Sequence, residues 1–161
     1  VVGGPNKYYN FRDNLIEEIF HKIKKNFLDN GYQLIFIPSM RTPQNIINKA
    51  KEYFDYNQII VQDIDKKAYL SSLELADHIV VTCDSTSMIS EAAITGKPIY
   101  VAQMNSRKKN FRFLKFFESF KALNIIRDLE NSVDEWSYEK LNETDKISRY
   151  IKDQLKNYDF S

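Results

Sequence analysis

The stretch from Ala76 to Ala102 constrains the fold more than any other part of this chain. It contains two short apolar runs, Ile79-Val80-Val81 and Ile99-Tyr100-Val101. Apolar runs without polar alternation predict strands buried on both faces of a parallel sheet. Capping side chains over 84–87 mark the start of a helix between the runs, and Gly96 marks its end. This unit predicts an α/β fold, namely a three-layer Rossmann-like domain with a mostly parallel sheet.

The start of that helix is the segment best suited to a ligand. A parallel crossover leaves the helix N-terminus at the carboxyl edge of the sheet, where open α/β sheets bind ligands. Free backbone N–H groups and the positive end of the helix dipole favour an anion there, and phosphate most of all. We therefore expect a phosphate site at residues Asp84, Ser85, Thr86 and Ser87.

Two further turns are predicted at the same edge. Gly3 and Gly4 follow the first strand. They either supply positive φ for a tight turn or let backbone N–H groups approach a diphosphate, and both interpretations remain open. Arg41 follows the second strand, where its guanidinium either binds phosphate oxygens or is solvated. Thr42 before Pro43 predicts the N-cap and the first residue of the next helix.

The rest of the chain predicts helices and strands that alternate around this unit. We expect helices over 13–30, 43–54 and 69–76, strands over 34–37 and 59–61, and a later helix rich in phenylalanine. Polar residues from 128 to 132 predict a linker. The terminal helix that follows carries Ile147, Tyr150, Ile151 and Leu155 on one face. We divide the chain into a domain over 1–127 and a linker with terminal helix over 128–161, and we expect an amino-terminal domain to be absent from it.

Composition excludes several classes of protein. The chain has 161 residues and a net charge of +1, which suits one core and argues against a nucleic-acid partner. Its one cysteine, Cys83, excludes a disulfide framework and fits a reducing compartment. No apolar run approaches the roughly 20 residues of a membrane span, so we expect no transmembrane segment. We predict a cytoplasmic protein, with membrane association of the longer protein as the alternative.

The run from Val81 to Pro98 closely resembles the signature of the mitochondrial fission ELM-type family. The resemblance extends to three other segments, Gly3–Lys7, Ser39–Pro43 and Leu75–Asp77. Bacterial members of that family were once labelled nucleoside-diphosphate-sugar epimerases. Its carboxyl half is similar to the donor-binding half of GT-B glycosyltransferases, in which a Ser/Glu…Gly-Lys-Pro helix holds the nucleotide. The chain departs from the family pattern at Met40, where a second arginine is usual, and at Lys67-Ala68-Tyr69, which replaces Asn-Pro-Tyr.

The resemblance implies that residues 1–127 form the nucleotide-sugar-binding half of a GT-B-like glycosyltransferase. A nucleoside diphosphate would place its phosphates at the helix start and its ribose at Glu91, roughly 9 Å further along the helix axis. The substrate-binding residues expected on this basis are Gly3, Gly4, Asn6, Ser39, Arg41, Thr42, Asp84, Ser85, Thr86, Ser87 and Glu91. We expect no catalytic residue, cofactor or metal site within the chain. The general base would come from the amino-terminal domain, so the chain alone is expected to be inactive.

Other functions fit the sequence less well. Plant members of the family are associated with recruiting a dynamin-related fission protein, so a non-catalytic interaction or adaptor module is the main alternative. The epimerase label lacks support, because none of the ten tyrosines has lysine four residues on. The spacing of Asp63-Ile64-Asp65 matches a metal-binding Asp-x-Asp motif, but we favour a turn there. Cys83 is either a reactive thiol beside a helix N-terminus or, as we favour, a small buried residue.

Overall fold

A computed structural model describes residues 1–108, 110–130 and 132–156 of the chain. Six α-helices and five strands alternate through these residues. In chain order they are α1 (Asp13–Asn26), β1 (Ile35–Phe36), α2 (Gln44–Tyr53), β2 (Ile59–Ile60), α3 (Lys66–Leu75), β3 (Ile79–Thr82), α4 (Thr86–Ala93), β4 (Ile99–Ala102), α5 (Phe111–Ala122), β5 (Ile126–Asp128) and α6 (Glu143–Lys156). A short 3-10 turn over Leu28–Asn30 follows α1.

All the strands run parallel, and the first residues of the chain join them into one sheet. β1 pairs with β2, while β3, β4 and β5 form a second group. Val1 and Val2 lie between the two groups. The N–H of Val2 donates to the carbonyl of Ile37 at 2.9 Å, and the nitrogen of Val1 donates to the carbonyl of Val80 at 2.7 Å. The strand order is therefore β2, β1, residues 1–2, β3, β4, β5.

This order reverses direction beside the N-terminal segment. The chain leaves residues 1–2 towards β1 and β2 and then returns to β3 on the opposite side. Right-handed crossovers then place α1 and α2 on one face of the sheet and α3 and α4 on the other. The expected three-layer, Rossmann-like α/β fold is confirmed. In open α/β sheets, ligands bind at the carboxyl ends of the strands, at the point where the strand order reverses.

The core forms because the central strands are apolar on both faces. All four residues of β4 are buried, and β3 contributes Ile79 and Val81 to the same core. The Tyr100 ring lies 5.6 Å from that of Phe27 and 5.0 Å from that of Trp136. These contacts hold α1 and the segment that follows β5 against one face of the sheet.

Several boundaries differ from the sequence predictions. The helix predicted over 69–76 begins earlier, at Lys66, because the Asp65 carboxylate caps the N–H groups of Lys67 and Ala68 at 2.8 and 3.2 Å. The linker predicted from residue 128 overlaps β5, which ends at Asp128 and pairs with β4. A strand of three residues is too short to show a period in the sequence. Two parts of the predicted linker and terminal segment, Asn131 and residues 157–161, lie outside the described residues.

The terminal helix has the predicted apolar face, but that face is exposed. The side chains of Ile147, Tyr150, Ile151 and Leu155 are each at least half exposed. Within the described residues, no helix is long and apolar enough to cross a membrane.

Candidate functional site

The carboxyl ends of three neighbouring strands meet at the point where the strand order reverses. Gly3 and Gly4 follow the N-terminal segment, the loop Ser39–Thr42 follows β1, and the turn Cys83–Ser85 follows β3. Hydrogen bonds between residues up to 80 positions apart in sequence join these three loops. We call this region the switch-point crevice.

The Asp84 carboxylate lies at the centre of the crevice. Its side chain is fully buried and pairs with the half-exposed guanidinium of Arg41 at 2.8 Å. The same oxygen, Oδ2, accepts the N–H of Gly4 at 3.2 Å, and Oδ1 accepts the Thr82 hydroxyl at 2.7 Å. Charge-assisted hydrogen bonds are the strong ones, and three of them offset the cost of burying this charge.

The two glycines are required by close packing. Neither has a positive φ, so the interpretation that they supply a left-handed turn is wrong. A Cβ on Gly3 would lie 2.1 Å from Asp84 Oδ2, and a Cβ on Gly4 would lie 1.8 Å from the backbone oxygen of Arg41. The N–H of Gly3 donates to Thr82 Oγ1 at 2.8 Å, and that of Gly4 donates to Asp84. Both N–H groups therefore already have partners inside the protein.

Arg41 closes the crevice from the β1 side. In addition to its ion pair, its Nη1 donates to the carbonyl of Gly4 at 3.2 Å. A guanidinium has five N–H donors, so an exposed side chain with two donors in use retains capacity for an anion.

Thr42 is not the helix cap that its position before Pro43 predicts. The N-cap of α2 is Pro43, which has no side-chain cap bond. The Thr42 hydroxyl accepts the N–H of Ser39 at 2.8 Å and lies within 2.8 Å of the carbonyl oxygens of Val2 and Gly3. It therefore ties the β1 loop to the N-terminal segment, a role that a local capping pattern does not reveal.

Asn6 also has a structural role in the crevice. Its amide nitrogen donates to the backbone oxygen of Asp84 at 3.1 Å. Its side-chain oxygen accepts the N–H groups of Tyr8 and Tyr9 at 2.8 and 3.0 Å. The side chain thus holds the first loop against the turn that precedes α4.

The N-terminus of α4 retains free donors. Ser85 is its N-cap, and the Ser85 hydroxyl accepts the N–H of Met88 at 3.4 Å. The backbone N–H groups of Thr86 and Ser87 have no partner among residues 1–108, 110–130 and 132–156. Thr86 is partly exposed and Ser87 is exposed, so an anion can reach both.

Glu91 lies on the exposed side of α4 and contacts α3. Its Oε2 accepts the phenolic hydroxyl of Tyr69 at 2.6 Å. Burial, and then the hydrogen bond to Glu91, raise the pKa of Tyr69. Tyr69 therefore stays protonated and keeps donating to the carboxylate. In the sequence, this partner is marked only by the position of Tyr69 in a segment that departs from the family pattern.

Thr82 was also missed. It is a buried hydroxyl at the end of an otherwise apolar strand, and it accepts from Gly3 while it donates to Asp84. A polar residue at the carboxyl end of a central strand was the available signal.

Cys83 is a buried packing residue and not a reactive thiol. It is fully buried, and its sulfur accepts the N–H of Met104 at 3.3 Å. Burial raises the pKa of the thiol to about 12. A neutral thiol is a poor nucleophile, because only the thiolate reacts readily.

No group of three or more metal-ligating side chains occurs within the part of the chain that the structure describes. The Asp65 carboxylate of the Asp63-Ile64-Asp65 segment caps α3 through its Oδ1. This gives Asp65 a structural role that needs no ion.

Comparison with known proteins identifies the family. The model of the family described as "Mitochondrial fission ELM1" matches residues 1–155. The chain belongs to the mitochondrial fission ELM1 family. It is 30% identical over 163 residues to the "Uncharacterized protein RP120" of Rickettsia prowazekii (strain Madrid E), covering 97% of this chain and 46% of that protein. It is also 36% identical over 122 residues to the "Mitochondrial fission protein ELM1" of Arabidopsis thaliana, covering 73% of this chain and 28% of that protein.

The family match covers every residue of the switch-point crevice. The chain spans less than half the length of either curated relative. No solved structure matches it significantly. Family membership agrees with the resemblance carried by the α4 segment.

Proposed function

We propose that the switch-point crevice of this ELM1-family chain binds the diphosphate of a nucleotide sugar, as the donor-binding half of a GT-B-like glycosyltransferase. The observation that carries the proposal is the pair of free N–H groups on Thr86 and Ser87, located where the strand order reverses. A helix N-terminus at this position favours phosphate through its donors and its dipole.

Arg41 strengthens the case for an anion. Its guanidinium is partly exposed beside the crevice, and its two hydrogen bonds leave further N–H donors. The buried Asp84 charge does not repel a phosphate strongly, because it is paired with the positive charge of Arg41. We assign the phosphate contacts to Ser85, Thr86, Ser87 and Arg41. Gly3 and Gly4 contribute close packing to the site, because their N–H groups already donate within the protein.

Glu91 is proposed to hold the ribose. It lies six residues beyond Ser85 on the same helix, which is roughly 9 Å along the axis and suits the distance from a diphosphate to its ribose. The Tyr69 hydroxyl fixes one carboxylate oxygen and leaves the other free to accept from ligand hydroxyls. In this proposal, the acceptor site and general base belong to an amino-terminal domain of the longer protein.

Heteronuclear NMR can test this function on the chain itself. Titration with uridine or guanosine diphosphate is expected to shift the amide signals of Ser85 to Ser87 and Glu91, without added divalent metal. If half of the site lies in another domain, the affinity is in the millimolar range, at about −4 kcal/mol. A saturating titration that shifts other residues and leaves these unchanged would contradict the proposal.

Variants of Glu91 and of its partner Tyr69 distinguish a ligand-binding role of Glu91 from a structural role. Glu91→Ala is expected to weaken nucleotide binding about tenfold or more, because a charged acceptor is lost. Tyr69→Phe is the matched control, since it removes the same intramolecular hydrogen bond but keeps the carboxylate. Asp63→Ala, in the turn before α3, should leave the affinity unchanged. Equal losses in Glu91→Ala and Tyr69→Phe would assign Glu91 a structural role.

A second candidate function is a non-catalytic adaptor. The Arabidopsis relative is named as a mitochondrial fission protein, and α6 presents an exposed apolar face that suits a protein partner. Failure of every nucleoside diphosphate to shift the α4 signals would favour this function.

A further inference from the structure

Positive charge is concentrated in the loop between β4 and α5 and in the first turns of α5. Residues 103–117 include five lysine and arginine residues and no aspartate or glutamate. Because the whole chain has a net charge of only +1, these five cations leave a net charge of −4 for the rest of the chain. The four of them that the structure describes are all exposed, and they are Arg107, Lys108, Arg112 and Lys115. None of these four side chains forms an ion pair within residues 1–108, 110–130 and 132–156.

Two large apolar side chains lie among these cations. Phe111 is the first residue of α5 and is 78% exposed, and Leu114, one turn later, is 49% exposed. Residues three and four apart on a helix lie on the same side, so Phe111, Leu114 and Lys115 form one surface. The Asn110 side chain caps α5 by accepting the N–H of Arg112 at 3.1 Å, which fixes this first turn. The basic apolar patch is our name for Arg107, Lys108, Phe111, Arg112, Leu114 and Lys115.

Other side chains hold α5 against the protein. Phe117 is buried, and the Phe113 ring lies 5.6 Å from the ring of Tyr8 and 5.8 Å from that of Tyr9. The hydrophobic core and the side chains packed against it do not include the two apolar residues of the patch. An exposed apolar surface that is surrounded by cations, and that the core does not use, indicates a binding surface.

We propose that the basic apolar patch docks the protein on the surface of an anionic lipid bilayer. Its phenylalanine and leucine would enter the boundary between headgroups and acyl chains, while its long cationic side chains reach the lipid phosphates. Glu118, the one acidic residue of α5, lies one turn beyond Leu114 and limits the patch on that side.

The free cations favour a bilayer over an acidic protein. No ion pair with the described part of the chain fixes where these four side chains point. A protein partner would need acceptors at defined positions opposite them, whereas mobile lipid phosphates can pair with them in many arrangements. A bilayer also accepts the two apolar side chains without a shaped groove.

The patch adjoins the switch-point crevice. The N–H of Arg107 donates to the carbonyl of Tyr8 at 2.7 Å. Tyr8 belongs to the loop that Asn6 ties to the backbone oxygen of Asp84 at 3.1 Å. Docking through the patch would therefore bring the crevice close to the bilayer, and the docking itself does not depend on which ligand the crevice binds.

Vesicle flotation of the 161-residue chain tests the docking without any nucleotide. One set of vesicles contains phosphatidylglycerol and phosphatidylcholine in equal parts, and the other contains phosphatidylcholine alone. We expect the partition coefficient to be at least about tenfold higher on the anionic vesicles, because several cations near the surface each contribute. Added salt should weaken the binding, since it screens this attraction.

Two double variants test the two parts of the patch. Phe111→Ser with Leu114→Ser removes the apolar side chains, and Arg112→Glu with Lys115→Glu reverses two charges. Each is expected to lower the partition coefficient on anionic vesicles by about tenfold or more. All four positions are partly or fully exposed, so the variants should keep the circular dichroism spectrum of the folded chain.

α3 and the end of α4 offer matched controls. Leu70 and Ile94 are 51% and 60% exposed, so Leu70→Ser with Ile94→Ser removes comparable apolar surface away from the patch. Lys66 and Lys67 are exposed, and Lys66→Glu with Lys67→Glu changes the net charge by the same amount as the reversal in the patch. Both controls are expected to change the partition coefficient by less than about threefold, because distant charges are largely screened.

The outcomes distinguish a membrane surface from other interpretations. Equal partitioning on both kinds of vesicle, or equal losses in the patch variants and the controls, would overturn the proposal. Absence of flotation would also overturn it, and binding of polyglutamate through the same cations would then assign the patch to an acidic protein. Selective loss in both patch variants supports docking on an anionic bilayer, whatever the nucleotide titration of the crevice shows.

Discussion

Gly3→Ala tests the most crowded contact of the switch-point crevice. The added Cβ would lie 2.1 Å from Oδ2 and 2.3 Å from Oδ1 of Asp84, whereas real Cβ atoms essentially never approach other atoms within 3.0 Å. The carboxylate therefore has to move by roughly 1 Å. Gly3 has no positive φ, so backbone strain adds nothing to the cost.

The magnitude follows from the bonds that this movement breaks. The Asp84 carboxylate accepts from Arg41 at 2.8 Å, from Gly4 at 3.2 Å and from Thr82 at 2.7 Å. Hydrogen bonds to charged groups contribute about 1.5–3 kcal/mol each, and a buried charge that loses its partners is strongly destabilising. Not every bond is lost in full, so we expect Gly3→Ala to lower the free energy of unfolding by about 3–5 kcal/mol. For a domain of this size, the melting temperature should fall by about 10 °C.

Urea denaturation of Gly3→Ala and Gly31→Ala makes the comparison. Gly31 has a φ of 88° and nothing within 4 Å of its added Cβ. The same change there costs only the strain of a left-handed alanine, about 1 kcal/mol. Gly3→Ala thus measures the cost of a steric contact without backbone strain, and Gly31→Ala measures the cost of backbone strain without a steric contact.

A double-mutant cycle with Asp84→Ala tests whether the cost of Gly3→Ala arises from its contact with the Asp84 carboxylate. Asp84→Ala removes the carboxylate, so adding Gly3→Ala to it should cost less than about 1 kcal/mol. A cost of Gly3→Ala no larger than that of Gly31→Ala would contradict this prediction. So would a full cost of Gly3→Ala in the absence of the Asp84 carboxylate.

Three further predictions concern Thr42 and Cys83, beside the crevice, and Gly96, beyond the other end of α4. Thr42→Val should lower stability by about 1–3 kcal/mol in urea and Thr42→Ser by less than about 0.5 kcal/mol, because the hydroxyl of Thr42, and not its methyl group, bonds the N-terminal segment; equal losses would contradict this role. Gly96→Val should cost about 1–2 kcal/mol in thermal unfolding, because it forces a β-branched residue to a φ of 76°; an unchanged melting temperature would exclude that conformation. Since burial raises the pKa of Cys83 to about 12 from 9.0, its contribution to stability is full below pH 9.0 and is lost as the pH rises towards 12. Iodoacetamide at pH 9.0 should therefore label the thiol only as the protein unfolds, and rapid labelling of the folded chain would refute this.

The sequence by itself determined the central strand-helix-strand unit. Its two strands are buried as the apolar runs predict, Ser85 caps α4, and Gly96 adopts a left-handed φ of 76°. Each of these features depends on residues close together in the chain. Apolar runs, caps and left-handed glycines leave local signals, because the backbone conformation they favour is a property of a few neighbouring residues.

Only the tertiary structure decided how the crevice is built. From the sequence, Asp84 and Thr42 are both predicted to be local capping residues. Asp84 instead bonds Gly4, 80 positions away, and Thr42 bonds the N-terminal segment. The same is true of the glycines, which are needed for close approach and not for positive φ. Partners this distant leave no local period or spacing, because they meet only when the parallel sheet aligns the ends of its strands. The sequence therefore specified the elements, and the sheet determined which of their polar side chains came together.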